Sequence, residues 1–267
     1  MESAALQSLV STAAGSGQTT AARPLYGSTA YSYGVIDITV YAIADKTAAE
    51  FGLDLSADNS TWYNSVQEFL PITKPGRYLF LASHPLLGYM RLNYTMAGTT
   101  VWKADVCYVY GCRYDLENFF FDRELLRWVD SNNDNTLEAE EESAIGESAL
   151  WASSQLDQLF GGAYATPFAT IPEELHQAWI IGCGYRLITR RGFSQTNQRF
   201  VQEWDAIMRD FGRAISSGRN ILTGVSQFRR IDATSRDGNP IMGFSMKDED
   251  GNQLTATEGQ HNYLDNL

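Results

Sequence analysis

One stretch of this chain carries residue types at a spacing suited to chemistry: Asp130-Ser131-Asn132-Asn133-Asp134-Asn135-Thr136-Leu137-Glu138-Ala139-Glu140-Glu141. A twelve-residue EF-hand loop takes calcium through oxygens at alternate positions and a bidentate acid at its end. Asp130, Asn132 and Asp134 would supply side-chain oxygens, Thr136 its carbonyl, Glu138 a contact through water and Glu141 both carboxylate oxygens. Leu137 stands where the loop wants an apolar residue. Asn135 replaces the glycine of the sharp turn, and asparagine tolerates a left-handed backbone better than other side chains do. The competing reading is an acidic helix N-terminus, whose carboxylates favour the helix dipole without a metal. EF-hands normally pair, and no second loop follows, so the expectation is weak calcium or none, and no other cofactor.

Nothing else argues for catalysis, and the chain reads as a non-enzyme. His84, His176 and His261 lie in unrelated contexts, and no nucleophile elbow or zinc-protease motif occurs. Cys107 and Cys112 are too widely spaced for a redox or zinc pair, and Cys183 makes the count odd. The Gly15-Ser16-Gly17 stretch lacks the lysine a phosphate loop needs.

The charge distribution is more informative. Twenty basic residues against 32 acids give a net charge of −12, which argues against a protein that grips nucleic acid by neutralising phosphates. Between Trp128 and Tyr185 there are ten acids and no Lys or Arg; from Arg186 to Arg230 there are nine arginines and three acids. Each block repels itself and is stabilised by the other, within one subunit or between subunits. The exclusive use of arginine favours an interface, with Glu138, Glu140, Glu141 and Glu142 facing Arg186, Arg190 and Arg191.

The elements that position these groups follow from periodicity. Residues 1–26 read as a flexible or short-helical segment, with a helix over 4–10 ended by the glycines at 15 and 17. Residues 27–104 alternate with period two, as in Ile36, Ile38 and Val40, and predict an antiparallel β domain of sandwich type. Its aromatics Trp62, Tyr63, Phe69, Tyr78 and Phe80 read as core and sheet packing. Residues 105–218 turn helical. Short helices are expected near Leu116 and from Asp122, a long one over 137–160, one opened by a capping box at Thr170 and Glu173, and a last one over 194–217. Residues 219–267 read as an extended arm ordered by partners, its apolar positions Ile221, Leu222, Val225, Phe228, Ile231, Ile241 and Phe244 burying themselves on a neighbour. Asp237-Gly238 is a hairpin signal. The class is α+β, with no membrane span and no secretory leader expected.

The order of features in the helical half resembles the head-to-tail connector family of Mu-like tailed phages. Those features are Tyr114-Asp115-Leu116-Glu117, Leu125-Leu126 before the Asp130 loop, Ala144-Ile145 with Ala149, Tyr164 with Pro167, Ile171-Pro172, Tyr185-Arg186-Leu187 before Arg190-Arg191, and Trp204-Asp205-Ala206-Ile207 through to Gly218. The similarity covers about 110–222 and leaves the β-rich part outside it. It implies a structural virion protein, an adaptor forming a ring, commonly twelvefold, beneath the portal. Its partners would be the portal, the tail-side proteins and itself, at the head-tail junction after assembly in the host cytoplasm, with DNA passing the lumen unbound. From the residues alone, the alternative is a calcium-dependent binding module with the loop as its switch and the β domain as its recognition unit.

Overall fold

Ile36, Ile38 and Val40 alternate because they line one face of a strand, and the strands before and after it continue the pattern across two sheets. The computed structural model describes residues 3–25, 33–44, 47–86, 88–166, 168, 170–192 and 198–225, and the backbone alone of 122–123, 229–234, 240–247 and 253–254. The first nine strands are β1 (Ser3–Thr12), β2 (Gly15–Thr19), β3 (Arg23–Pro24), β4 (Gly34–Ile43), β5 (Ala49–Ser56), β6 (Tyr63–Glu68), β7 (Gly76–Leu81), β8 (Tyr89–Met96) and β9 (Thr100–Tyr108). One antiparallel sheet runs β1-β9-β4-β7 and the other β2-β8-β5-β6, with β3 also on β8. Register sets Ile36 opposite Val106, Ile38 opposite Ala104 and Val40 opposite Trp102. These side chains meet Phe51, Leu53, Leu55, Met90 and Leu92 of the other sheet in a buried core. Trp102 anchors it, edge-on to Phe51 at 4.9 Å, with its indole N–H donating to Thr12 Oγ1 at 3.1 Å.

The N-terminal segment is therefore not helical or loose. Leu6 is buried in the sandwich and β1 pairs along β9, but two register shifts interrupt the pairing, which hides the period of two from local reading. The β unit runs from residue 3 to 108 rather than from 27 to 104.

Among the described residues, five helices follow: α1 (Arg113–Phe120), α2 (Asp122–Val129), α3 (Ala139–Phe160), α4 (Glu173–Arg190) and α5 (Gln198–Ser216). Ile145, Ala149, Ala152, Leu156 and Phe160 on α3 meet Leu175, Trp179, Cys183 and Leu187 on α4 in a second core. Val35, Leu79 and Leu81, on the other face of the first sheet, belong to this helical core, so β4 is buried on both sides. Edge strand β7 is covered rather than exposed. Ser143 Oγ accepts the Leu79 amide at 2.9 Å, while Gln67 donates to the Leu81 carbonyl at 3.1 Å and accepts the Ser83 amide at 2.7 Å.

Two local expectations change. The residue preceding α4 is Pro172, so Thr170 and Glu173 do not form the expected capping box. The short helix expected from Asp122 does begin there, with Phe121 as the residue before it. The boundary at 219 also moves: Leu222 is buried in the helical core, with Ile221 and Val225 packed against it, so the helical body extends to 225. Beyond it the backbone forms β10 (Arg229–Thr234), β11 (Pro240–Lys247) and β12 (Gln253–Leu254), with β10 and β11 paired antiparallel; the Asp237-Gly238 signal lies outside the described residues. Ile231 lies on β10 and Ile241 and Phe244 on β11; their side chains, and Phe228 altogether, lie outside the described residues.

Candidate functional site

The loop between α2 and α3 folds as a cascade of tight turns. Asp130 Oδ1 accepts the Asn133 amide at 2.6 Å and its Oδ2 the Asn135 amide at 2.9 Å. Asn132 Oδ1 accepts the Asp134 amide at 3.0 Å, and Asp134 Oδ1 the amide and hydroxyl of Thr136 at 2.8 and 2.6 Å. Thr136 holds the Asp134 carboxyl below the usual range. Glu141 reaches back from α3: its Oε1 accepts the amide and hydroxyl of Ser131 at 2.5 and 2.7 Å, and its Oε2 the Glu138 amide at 3.3 Å. Asn135 has a φ of 63°, the left-handed backbone the glycine position requires. The acids thus serve the loop's own amides, and among the described residues no group of three or more His, Cys, Asp or Glu is arranged to hold a metal. Of the residues expected as calcium ligands, Asp130, Asn132, Asp134 and Glu141 spend side-chain oxygens on these turns, and Thr136 and Glu138 stand on the same loop.

The segregated charges meet inside the chain. Arg186 and Arg190 reach Glu147 at 3.0 and 3.5 Å, and Arg191 donates to the Asp130 carbonyl. Arg113 on α1 joins Glu117 at 2.5 Å and the buried Glu142. Burial raises the Glu142 pKa, and the Arg113 charge opposes that rise. Glu140 lies 3.8 Å from Lys74. Of the groups expected at a subunit contact, Glu141 and Glu142 are buried in their own chain and Arg186, Arg190 and Arg191 have partners there, while Glu138 and Glu140 are exposed.

Sequence reasoning missed three polar clusters because their members are far apart along the chain. On the outer face of the second sheet, the Asp54 side chain, 2% exposed, receives Arg91 Nε at 2.9 Å, Asn93 Nδ2 at 2.5 Å and the Ser65 amide at 2.8 Å, while Arg91 lies 4.2 Å from the Trp62 ring. Arg77 grips Asp37 through two nitrogens, the closer at 2.6 Å. Where α1 meets α4, Asp115 Oδ2 accepts the Cys112 amide at 2.8 Å and lies 3.1 Å from His176 Nε2. Asp115, as bonding partner and as charge, raises the His176 pKa against the effect of burial. The three cysteines are free and buried; burial pushes Cys107 up to about 11 and Cys112 up to about 12, so neither offers a thiolate.

Two surface features of the helical body stand out. Tyr114, Phe119 and Phe121 are exposed by 54%, 39% and 71%, all on α1 or the turn after it. At the far end of α5, a groove of about 450 Å³ is lined by Asp210, Phe211, Arg213, Ala214, Ser217, Arg219 and Ile221. No helix among the described residues is long and apolar enough to cross a membrane.

No protein-family model matches the chain, and no curated protein matches it in sequence.

Proposed function

We propose that this chain is a structural virion protein, a head-to-tail connector that forms a ring beneath the portal of a tailed phage and joins capsid to tail. The observation that supports the reading is that the stretch resembling the connector family packs as one helical body. Leu116 and Leu125 of the short helices, Ile145 and Ala149 of α3, Leu187 of α4, Trp204 of α5 and Leu222 beyond it share a single core. Features that are weak singly in the sequence are thus joined in one packed unit, as a common family pattern would require. A net charge of −12 suits a lumen through which DNA must slide without sticking.

The sandwich adds a module docked firmly on α3 through Leu79 and Leu81, so it would ride with the ring as a rigid extension. The alternative, a calcium-switched binding module, would use a loop whose acids already bond the loop's own amides. The reading is tested by imaging the full chain mixed with the portal of its own phage, with and without chelator. Rings seated on portals irrespective of chelator support it; a lone chain beside bare portals refutes it.

A further inference from the structure

Phe121 sits in a backbone conformation that its side chain disfavours. Its φ is 58° and ψ 142°, a region that glycine occupies freely and a bulky residue does not. The turn itself has a clear purpose. The Phe121 carbonyl accepts the amides of Glu124 and Leu125 at 3.0 and 3.1 Å and starts α2, while Phe120 points inward against Trp128 and Phe200 at 5.1 and 5.3 Å. Glycine would make the same turn without strain. What phenylalanine adds is an aromatic ring held out in water, just beyond the short helix that carries the exposed Tyr114 and Phe119.

The groove on α5 has the complementary chemistry. Its floor is Phe211, Ala214 and Ile221, and its rim carries the exposed guanidinium groups of Arg213 and Arg219. Arg213 has only a loose partner, Asp210 at 3.8 Å, and Arg219 has no ion pair among the described residues. An apolar floor with arginines at its edge suits an aromatic ring, which the floor desolvates and the guanidinium groups attract through its π face.

Hook and groove cannot meet within one chain. Phe120 touches Phe200 near the start of α5, whereas the groove is centred on Ala214, about 20 Å further along that helix at 1.5 Å per residue. Two complementary patches at opposite ends of one body make a head-to-tail contact, which closes into a ring when the rotation allows. We propose that the aromatic hook of Phe121 inserts into the Arg213–Arg219 groove of the next copy and so builds the ring; this deepens the connector reading and rests on it.

A cross-link tests the contact directly. Ser217 lines the groove and is exposed, and the native cysteines are buried, so the double variant Phe121→Cys/Ser217→Cys can be oxidised after assembly on the portal. The expected result is a ladder of covalent oligomers from the double variant, none from either single variant, and only dimers from a mixture of the two single variants. Dimers from Phe121→Cys alone would mean a two-fold contact and overturn the proposal. Wild-type rings seen by microscopy without any ladder would overturn it too, leaving the connector reading in place. Absence of wild-type rings would remove both. A second variant separates assembly from folding: Phe121→Gly relieves the backbone and should melt no lower than wild type, yet weaken ring formation at least about tenfold. Unimpaired rings from Phe121→Gly would contradict the hook.

Discussion

Gly146 on α3 rests on the backbone of Leu79 on β7: a Cβ at residue 146 would stand 2.2 Å from the Leu79 carbonyl oxygen. The helical layer and the sandwich meet through this approach, beside the Ser143 hydroxyl that accepts the Leu79 amide. The two halves therefore behave as one packed body rather than as units on a tether. Gly146→Val should part α3 from β7 and cost about 1–3 kcal/mol or more, measured by denaturant unfolding. A loss within about 0.5 kcal/mol would mean that the layers tolerate separation.

The Asp54 carboxylate is buried with three donors, so removing it strands Arg91, Asn93 and the Ser65 amide. Asp54→Ala should destabilise the sandwich by about 3–5 kcal/mol, the range for breaking one side of a buried ion pair. The partly exposed Arg91 places the expectation at the low end. Equal stability of variant and wild type in urea would show that the cluster only decorates the sheet.

The His176–Asp115 pair predicts a pH dependence with a definite sign. The His176 pKa is raised in the folded chain, so its contribution is complete below its unfolded value near 6.5 and is lost as pH rises through the folded value. Burial raises the Asp115 pKa, but the bonds from His176 and Cys112 outweigh it and lower the value overall. The Asp115 contribution is therefore present above the unfolded value near 3.8 and fades as pH falls through the folded one. Tyr33, Cys112 and Glu173 are the other titratable groups nearby. Melting temperature should fall from pH 6 to pH 8 in the wild type and change less in His176→Gln. Parallel melting curves for the two proteins would show that the pair contributes nothing.

Asp130 closes two turns of the loop before α3, so Asp130→Ala should cost about 1–3 kcal/mol by leaving two amides without their acceptor. Millimolar calcium should leave the wild-type melting temperature unchanged. A calcium-dependent rise that Glu141→Gln abolishes would restore the metal site.

Much of the architecture was legible because its residues are local. Ile36, Ile38 and Val40 announce a strand by alternation, and Leu175, Trp179, Cys183 and Leu187 a helix by spacing of four. The missing parts are non-local. Strand β1 was hidden because bulges break its alternation and its partner is β9, with Thr12 bonded to a tryptophan ninety residues later. The Asp54–Arg91 pair, 37 residues apart, leaves no trace in either segment. At the loop, the ligand pattern was visible, but whether six oxygens converge or bond to their own amides depends on backbone geometry that composition does not determine. The strain at Phe121 was equally invisible, since a run of three phenylalanines reads as core although only Phe120 is buried.

The proposed connector ring is tested by electron microscopy of the full chain mixed with the portal of the phage it would serve. Closed rings of this protein seated coaxially on the portal are expected, with subunits in contact through the α1–α2 turn and the end of α5. A chain that remains monomeric, with portals left bare at concentrations where other virion components assemble, would contradict it.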